Sequence, residues 1–444
     1  MRLFAALLRK LIRKGSLTVI DAAGQRHRFE GAPIAAPPVT IRFTDRATPR
    51  RAALNPALEL GEAWMDGRLL IEQGDIRAFL DLIGTNTHWD DDDSVRLRLW
   101  RPWRASHRLE AWNWERRSRR NVAHHYDLSS ALYRLFLDDD LQYSCAYFPS
   151  ADASLESAQA AKKAHIAAKL ALRPGQRVLD IGCGWGGLAL HLHRIADVDV
   201  VGITLSTEQL AIARARATAE GVADRVTFEL CDYRAIGGRF DRIVSVGMFE
   251  HVGPPHYRTF FEHFRELLTE DGVMLLHTIG RADGSAPTDR WLARYIFPGG
   301  YIPALSQIAP AIEQSRLWIT DIEMLRLHYA HTLAHWYDRV AASRDAIVAL
   351  YDERFYRMWT FYLAGALVAF RHDAHLNFQI QLSRRRETLP LTRDYMVEAE
   401  EPFTEETLRS GRWSRGTSEI PGTIQSREAL PIRYAPPKSS FPCA

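Results

Sequence analysis

The sequence is poor in cysteine, with four among 444 residues: Cys145, Cys183, Cys231 and Cys443. They lie far apart, form no CxxC pair and have no histidine at metal-ligand spacing, which argues against a disulfide framework and a zinc site. A protein of the reducing cytoplasm is expected. No uncharged apolar run reaches the roughly 18 residues of a membrane-spanning helix, and the nearest, Met358 to Phe370, has the length of a buried core helix. Any membrane contact is therefore expected to be peripheral.

The N-terminus has too short an apolar run for a signal peptide. In MRLFAALLRKLIRKG, Arg9 and Lys10 interrupt the run, so we expect no export. Residues 1–14 instead place apolar side chains at helical spacing between basic ones, which predicts an amphipathic helix. Such a helix suits an anionic membrane surface, and it equally suits packing on its own domain.

The pattern of residues 1–84 predicts a small α+β domain. From Ser16 to about Thr44 polar and apolar residues alternate, with AAGQ as a hairpin turn. The pattern from Asn55 to Leu82 is helical. This part contains no catalytic constellation, and we interpret it as an accessory, lipid-associated domain.

Residues 85–120 form a predicted linker that is basic and aromatic. Between Arg96 and Arg120 it holds nine arginines, four tryptophans and only two glutamates. This composition suits an anionic lipid surface, where indole lies at the interface and guanidinium meets phosphate. It also suits nucleic acid, or a solvated linker whose indoles pack on a neighbouring domain. Of the two binding functions we favour lipid, with salt-sensitive binding to anionic membranes and no nucleic-acid partner.

Residues 121–386 have the pattern of a doubly wound α/β domain. The segments VLDIGC, VDVVGIT, RVTFEL, DRIVSVG and VMLLHTI are short, rich in Val, Ile and Leu, and separated by helical patterns. A parallel sheet covered on both faces has this pattern. A helical stretch at about 291–371 is predicted to form a cap that encloses a substrate, and LNFQIQL then adds a strand. Residues 387–444 show little periodicity and predict an irregular tail.

A glycine-rich turn follows the first of these strands. In VLDIGCGWGGLAL, Gly182, Gly184 and Gly186 permit a tight turn and a close approach of the backbone to a ligand at the carboxyl edge of the sheet. Alone, such a turn is weak evidence, because several kinds of ligand use it.

The residues around the turn limit the classes of ligand that it can bind. Asp180 precedes it, no GKS or GKT phosphate motif follows, and Gly202-Ile203-Thr204 ends the second strand where a dinucleotide site would carry an acidic residue. With CDY (Cys231 to Tyr233) after the third strand, the pattern resembles the S-adenosylmethionine site of class I methyltransferases, which have a Rossmann-like fold. A nicotinamide enzyme is not expected.

Further motifs narrow the family. They are QYSCAYF at residues 142–148, VGMFEHVG at 246–253 and LLHTIG at 275–280, together with NVAHHYDL, RYIFPGGYIP and HYAHTLAHWYDR. These closely resemble the cyclopropane-fatty-acyl-phospholipid synthases and the related mycolic acid methyltransferases over about 121–386. GEAWMDG at residues 61–67 looks like the N-terminal domain of the phospholipid branch. The resemblance implies methyl transfer from S-adenosylmethionine to the cis double bond of an unsaturated phospholipid acyl chain, giving a cyclopropane fatty acid.

This chemistry makes definite demands on a site. An alkene is a poor nucleophile, so the sulfonium methyl group must be held against the double bond in a dry apolar cleft. Methyl transfer leaves a carbocation, and ring closure requires a base that removes a proton from the new methyl group. A charged base in an apolar pocket needs polar partners to stay charged.

The resemblance implies that this base is a bound bicarbonate. Its partners here would be the side chains of Glu250, His277 and Tyr329 and the backbones of Cys145 and Ile279. Since Glu250 and His277 follow neighbouring strands, they are expected to converge at one edge of the sheet. For the cofactor, the resemblance points to Tyr143, Ser144, Asp180, Gly182, Gly184, Gly186, Thr204, Ser206, Gln209, Asp232 and Tyr233. No metal ligands are implied.

The chain departs from the family pattern at Ala366, in YLAGALVAF, where many relatives carry a cysteine. The chemistry above requires no thiolate, so activity is expected to survive, but the departure leaves the usual product in question. His251 is expected to order its loop rather than to react. His124 and His125 either line the site or serve the fold.

Other functions stay open on the sequence. The same carbocation can lose a different proton or accept hydride, which gives a methyl-branched or methylated unsaturated chain. Benzylisoquinoline N-methyltransferases share much of the motif set, so methylation of a small amine is an alternative. A lipid-binding protein on an inactive methyltransferase scaffold is another. The expected location is the cytoplasmic face of a membrane, and the sequence leaves a homodimer possible.

Overall fold

The computed structural model describes residues 1–91, 128–284 and 288–401 of the protein. Most of the predicted linker, residues 85–120, lies outside these residues. His124 and His125 also lie outside them. Within the described ranges, no helix combines the length and the apolar character needed to cross a membrane.

The N-terminal part is a small mixed α+β domain around a four-stranded sheet. Its elements are α1 (Arg2–Leu11), β1 (Ser16–Ile20), β2 (Arg26–Glu30), β3 (Val39–Phe43), α2 (Thr48–Leu54), α3 (Pro56–Met65), β4 (Leu69–Gln73) and α4 (Ile76–Thr85). The strand order is β2-β1-β3-β4, with β1 and β3 parallel and the other neighbours antiparallel. The predicted turn between β1 and β2 is confirmed. Asp21 Oδ1 accepts hydrogen bonds from the backbones of Ala23 and Gln25, both at 3.0 Å.

The helical prediction for residues 55–82 was wrong at β4. The positive φ of Gly67, +70°, ends the turn after α3, and the chain then runs antiparallel to β3. The short segment LLIEQ gives little local signal for a strand, because its pairing partner lies about thirty residues away.

The amphipathic helix α1 packs on its own domain. Its apolar residues Phe4, Leu8 and Leu11 are buried, and the Phe4 ring meets Phe43 of β3 edge-on at a centroid distance of 5.4 Å. Its apolar face is therefore used within the fold, and of the two interpretations of this helix the membrane-surface one is wrong.

The large domain is a doubly wound α/β fold, as predicted. Its strands are β5 (Arg177–Ile181), β6 (Asp199–Thr204), β7 (Val226–Leu230), β8 (Phe240–Val246), β9 (Leu268–Arg281), β10 (Trp318–Leu325) and β11 (His375–Ser383). Its helices are α5 (Ser130–Arg134), α6 (Leu155–Leu170), α7 (Gly187–Ala196), α8 (Thr207–Ala219), α9 (Tyr257–Leu267), α10 (Arg290–Tyr295), α11 (Leu305–Gln314), α12 (His328–Ala342), α13 (Arg344–Leu350) and α14 (Glu353–His372).

The seven strands form one sheet in the order β10-β11-β9-β8-β5-β6-β7. Strands β5 to β9 are parallel, and β11 runs antiparallel to both β9 and β10. Apolar side chains of α6, α7 and α8 cover one face, and those of α9 and α11 cover the other. The carboxyl ends of β5, β6 and β8 therefore meet at one edge, where ligands bind in such folds.

The prediction of a helical insertion at 291–371 was wrong in one part, because β10 interrupts it. The strand WITDIEML lies at the edge of the sheet and pairs with β11, which follows about fifty residues later. An edge strand keeps polar side chains, so its hydrophobic pattern is weak. The predicted irregular tail also differs at its start, since residues 394–401 are helical; residues 402–444 lie outside the described ranges.

Helix α14 joins the N-terminal domain to the large one. Trp64 of α3 donates from Nε1 to the carbonyl oxygen of Arg357 at 2.9 Å. A Cβ atom on Gly84 of α4 would lie 2.7 Å from Cγ1 of Val368, so only glycine permits this approach of the two helices. The domains therefore share a packed interface along α14.

Candidate active site

The glycine-rich turn between β5 and α7 forms the floor of a cleft. Gly182, Gly184 and Gly186 have φ angles of +80°, +54° and +82°, a region that favours glycine. A Cβ on Gly184 would meet no atom within 4 Å, whereas one on Gly186 would lie 2.7 Å from the Phe228 ring. Gly184 thus leaves space for a ligand, and Gly186 serves the packing of the turn on the sheet.

The cleft collects most of the residues predicted to contact a cofactor. Its lining includes Tyr143, Ser144, Asp180, Gly182, Gly184, Thr204, Gln209, Asp232 and Tyr233. Ser206 lies beside it, where its hydroxyl oxygen accepts from the Gln209 backbone at the start of α8. Asp232 is held by a two-point ion pair with Arg234, at 2.7 and 2.8 Å.

Some lining residues had no predicted contact with a ligand. Lys162, Gln142 and Trp185 line the cleft, and His251 does so too, although the sequence assigned it only to loop support. Burial lowers the pKa of His251 to about 4, so this imidazole is neutral at physiological pH.

Asp180 places an incompletely bonded carboxylate in the cleft. The residue is 1% exposed, and its Oδ2 atom has no hydrogen-bond partner among the described residues. Burial raises its pKa to about 7, and the charge of Lys162 works against that rise. A buried acceptor without a donor is costly, so the site fits a ligand with a cationic or N–H group at this point.

Glu250 lies at the end of β8, in a short 3₁₀ turn at Phe249–His251. Its Oε1 atom accepts the backbone N–H of Ile279 at 2.6 Å, and its buried Oε2 atom has no partner in the described structure. Burial raises the pKa of the carboxyl group, and the Ile279 N–H opposes the rise. The Thr278 side chain also interacts with this carboxyl group and opposes the rise, and Oε2 can accept a ligand O–H or donate when it is protonated.

His277 lies in the interior of the sheet, on β9. Its Nδ1 atom is 3.1 Å from Nε2 of Gln379, and its Nε2 atom is 3.4 Å from the side-chain amide of Asn377, both on β11. Burial, and then the charges of Lys162 and Lys169, lower its pKa to about 3. His277 is therefore a neutral imidazole held by neutral partners.

Tyr329 and Cys145 approach each other through α12. The segment that carries Cys145 is fixed to this helix, because Ala146 N–H donates to Oγ1 of Thr332 at 3.0 Å, three residues after Tyr329. Tyr329 is 8% exposed and packs edge-on against Trp336 at 5.8 Å. Burial raises the pKa of the Cys145 thiol, so it stays protonated.

The five predicted catalytic residues therefore fall into two groups, according to the contacts that they make. Glu250 bonds directly to Ile279, and His277 is two residues earlier on the same face of β9. Cys145 and Tyr329 belong to the neighbouring contact between the 142–148 segment and α12. Within the described residues, the recorded side-chain hydrogen bonds of Glu250 and His277 go to different partners, so their expected convergence is not a direct contact.

An aromatic wall adjoins the cleft. The Tyr143 ring stacks on Trp336 at 5.1 Å and 25°, and its hydroxyl group is 2.9 Å from that of Tyr362 on α14. Trp185 of the glycine turn meets Tyr133 at 5.0 Å. This side of the cleft is suited to an apolar substrate.

Comparison with known proteins places the chain in a family. Residues 114–380 match the family described as Mycolic acid cyclopropane synthetase. Over 353 residues the chain is 40% identical to a cyclopropane-fatty-acyl-phospholipid synthase of Escherichia coli (strain K12), which covers 78% of this chain and 88% of that protein. It is also 40% identical over 328 residues to a probable fatty acid methyltransferase of Pseudomonas putida, covering 71% of this chain and 80% of that one.

A solved structure supports the same fold. The mycolic acid cyclopropane synthase CmaA1, complexed with SAH and CTAB, aligns with a TM-score of 0.57 at 35% sequence identity, over 60% of this chain and 97% of that chain. The family match and these similarities confirm the predicted fold class and enzyme class. The chain belongs to the mycolic acid cyclopropane synthetase family, as an S-adenosylmethionine-dependent methyltransferase of the cyclopropane-fatty-acyl-phospholipid synthase type.

Proposed function

We propose that this protein transfers the methyl group of S-adenosylmethionine to the cis double bond of an unsaturated phospholipid acyl chain and closes a cyclopropane ring. One observation carries the proposal: a cleft with a polar end at Asp180 adjoins an aromatic wall at Tyr143 and Trp336. The polar end suits the amino-acid part of the cofactor, and the wall suits an acyl chain. The name of the E. coli relative supports the same substrate.

The cofactor fits the residues of the cleft. The amino group of its methionine part would satisfy the unpartnered Oδ2 of Asp180, and the open side of Gly184 permits its close approach. When bound, the cofactor supplies an electrophilic methyl group. The chain's own task is to orient that group toward the alkene and to exclude water, which the buried aromatic side chains do.

Bicarbonate is the ligand that we propose for Glu250 together with Tyr329 and Cys145. Glu250 Oε2 would accept its O–H, and the Tyr329 hydroxyl and the Cys145 backbone N–H would donate to it. His277 and Cys145 are neutral, and the charge of Lys162, which acts on both of them, favours a negative ligand. Bicarbonate bound there would supply the base for proton removal.

The methyl-branched alternative shares every step up to the carbocation. The P. putida relative is named a probable fatty acid methyltransferase, which supports a branched product as the alternative. Which proton leaves depends on where the base lies relative to the new methyl group.

A labelled-methyl assay with unsaturated phospholipid vesicles, followed by lipid mass spectrometry, tests both proposals. A ring retains the hydrogen deficiency of the alkene but loses its reactivity to alkene-specific derivatisation. Label transfer to small amines, and none to lipid, would contradict the function.

Binding to an anionic membrane is part of the proposal, and the basic aromatic segment at 96–120 supports it through its composition. Because the apolar face of α1 is buried, that helix contributes no apolar anchor. We expect co-sedimentation with anionic vesicles that weakens at high salt, and little with neutral vesicles. Replacing the four tryptophans of the segment by serine should reduce this binding while leaving cofactor binding intact. Equal binding to both kinds of vesicle would contradict the electrostatic part.

A further inference from the structure

Lys162 places a buried ammonium group in the wall of the cleft. The residue belongs to α6 and is 1% exposed. Its Nζ atom donates to Oε1 of Gln142 at 2.6 Å and to Oγ of Ser144 at 2.8 Å. Both acceptors are uncharged, so these bonds satisfy the ammonium group only in part.

The adjacent lysine, Lys163, differs from Lys162 because its ammonium group is paired with a carboxylate. Lys163 pairs with the carboxylate of Asp140 at 2.6 Å and is absent from the lining of the cleft. Burial lowers the pKa of Lys162 to about 8, against the opposing charges of Asp138 and Asp140. The fold thus accepts the cost of a charge in the wall of a ligand site, which is where such groups are functional.

The bonding capacity of Lys162 is not exhausted by these contacts. An ammonium group has three N–H donors, and the two recorded bonds within the described residues use two of them. Asp180 lines the same cleft with a buried oxygen that lacks a partner. The cleft therefore offers one donor cation and one acceptor anion, the complement of an amino-acid zwitterion.

We propose that Lys162 binds the α-carboxylate of the cofactor's methionine part, while Asp180 takes the α-ammonium group. The assignment rests on the proposed function, because it presupposes S-adenosylmethionine as the ligand. Through Ser144 and Gln142, the same side chain ties the carboxylate to the segment that carries Tyr143. Recognition of the cofactor and placement of the aromatic wall then depend on one residue.

The test is calorimetric binding of S-adenosylhomocysteine and of its decarboxylated analogue, in which hydrogen replaces the carboxylate. Wild type should bind S-adenosylhomocysteine at least about tenfold more tightly than the analogue, as expected for a charge-assisted hydrogen bond. Lys162→Met should remove this preference, and Lys162→Arg should keep part of it. Lys163→Met is the matched control, which should retain the full preference.

The comparison of two ligands separates recognition from structural damage. A variant that merely disturbs the 142–144 segment weakens both ligands equally and leaves their ratio unchanged, which would overturn the assignment. Should Lys162→Met not fold, Lys162→Gln makes the same comparison with a polar side chain. Failure of wild type to bind S-adenosylhomocysteine would contradict the proposed function itself. Binding without any preference for the carboxylate would overturn only the role of Lys162.

Discussion

Gln379 holds His277 in a single tautomer. Lys169 donates to Oε1 of Gln379 at 2.8 Å, so the amide nitrogen of Gln379 must be the group that faces Nδ1 of His277, at 3.1 Å. Nδ1 therefore accepts, and the proton of the neutral ring lies on Nε2. That proton requires an acceptor, but Nδ2 of Asn377 faces Nε2 at 3.4 Å, so the amide of Asn377 has to turn to bring its unpartnered Oδ1 to the ring.

Replacing Gln379 should impair the reaction more than cofactor binding. Gln379→Leu removes one hydrogen-bond partner from Lys169, which keeps Glu323, and one from His277, which keeps Asn377, so the free energy of unfolding should fall by ~1 to 2 kcal/mol. The tautomer of His277 is then no longer fixed, and we expect a lower kcat in the labelled-methyl assay. Gln381→Leu is the control, because Gln381 is equally buried on the same face of β11 but bonds to Tyr395. Equal loss of kcat in both variants would contradict this role.

Asp180→Asn should abolish tight binding of S-adenosylhomocysteine and stabilise the unliganded protein in a pH-dependent way. The raised pKa of about 7 means that the folded state keeps a proton which the unfolded state loses above its ordinary value near 4. Wild type therefore loses stability as pH rises between these values, and the variant does not. The gain in unfolding free energy should be about 2 kcal/mol larger at about pH 8 than at about pH 5.5.

Asp140 is a control for that measurement, because its pKa is shifted in the opposite direction from that of Asp180. Burial disfavours its charged form, but the Lys163 and Arg216 cations outweigh burial and lower its pKa. Asp140→Asn should therefore destabilise the protein at both pH values. Denaturant unfolding followed by circular dichroism measures both variants. A pH-independent gain for Asp180→Asn would contradict the assigned ionisation.

Glu250→Gln should separate chemistry from binding. Glutamine still accepts the Ile279 N–H, so the local fold should persist, but the second oxygen becomes an N–H₂ donor. If Glu250 positions the base, the rate of methyl transfer should fall about 10²- to 10⁴-fold. Since Glu250 is absent from the lining of the cleft, affinity for S-adenosylhomocysteine should change less than about twofold. Glu262→Gln on the exposed face of α9 is a matched control, and weakened cofactor binding in Glu250→Gln would argue against this division of roles.

Ala366→Cys should leave the rate and the product unchanged. Ala366 is a partly buried residue one helical turn after Tyr362, in the cluster around the aromatic wall. A thiol there adds one atom, and the proposed chemistry uses no thiolate. Lipid mass spectrometry of the variant and of wild type should give the same product. A switch from a branched to a cyclic product would show that this position determines the outcome.

The five parallel strands of the large sheet, β5 to β9, were predictable because each contains a short apolar run. VLDI and VVGIT lie in β5 and β6, and all of their residues are buried. Strands β4 and β10 were not, since their pairing partners are distant in sequence and β10 lies at an edge. Packing of α1 on its own domain was likewise open, because an amphipathic pattern does not say which apolar surface it meets.

The cleft residues were predictable where a motif carried them. The glycine turn and Asp180 follow from one continuous stretch, and the structure brings them to the same edge as Thr204 and Asp232. Lys162 gave no such signal, because AKK in a helix is usually a solvated pair of lysines. Its burial depends on the contact of α6 with the 142–144 segment, which only the tertiary structure provides.

The position of α14 has a mechanical consequence. The carbonyl oxygen of Arg357 accepts the indole N–H of Trp64 from the N-terminal domain, and the Tyr362 hydroxyl, less than two helical turns later, is hydrogen-bonded to that of Tyr143 at the cleft. An α-helix is stiff over so short a length. We therefore expect a displacement of the N-terminal domain to change the position of Tyr143. Deleting the small domain would remove the contacts that support α14, and with them the position of the aromatic wall.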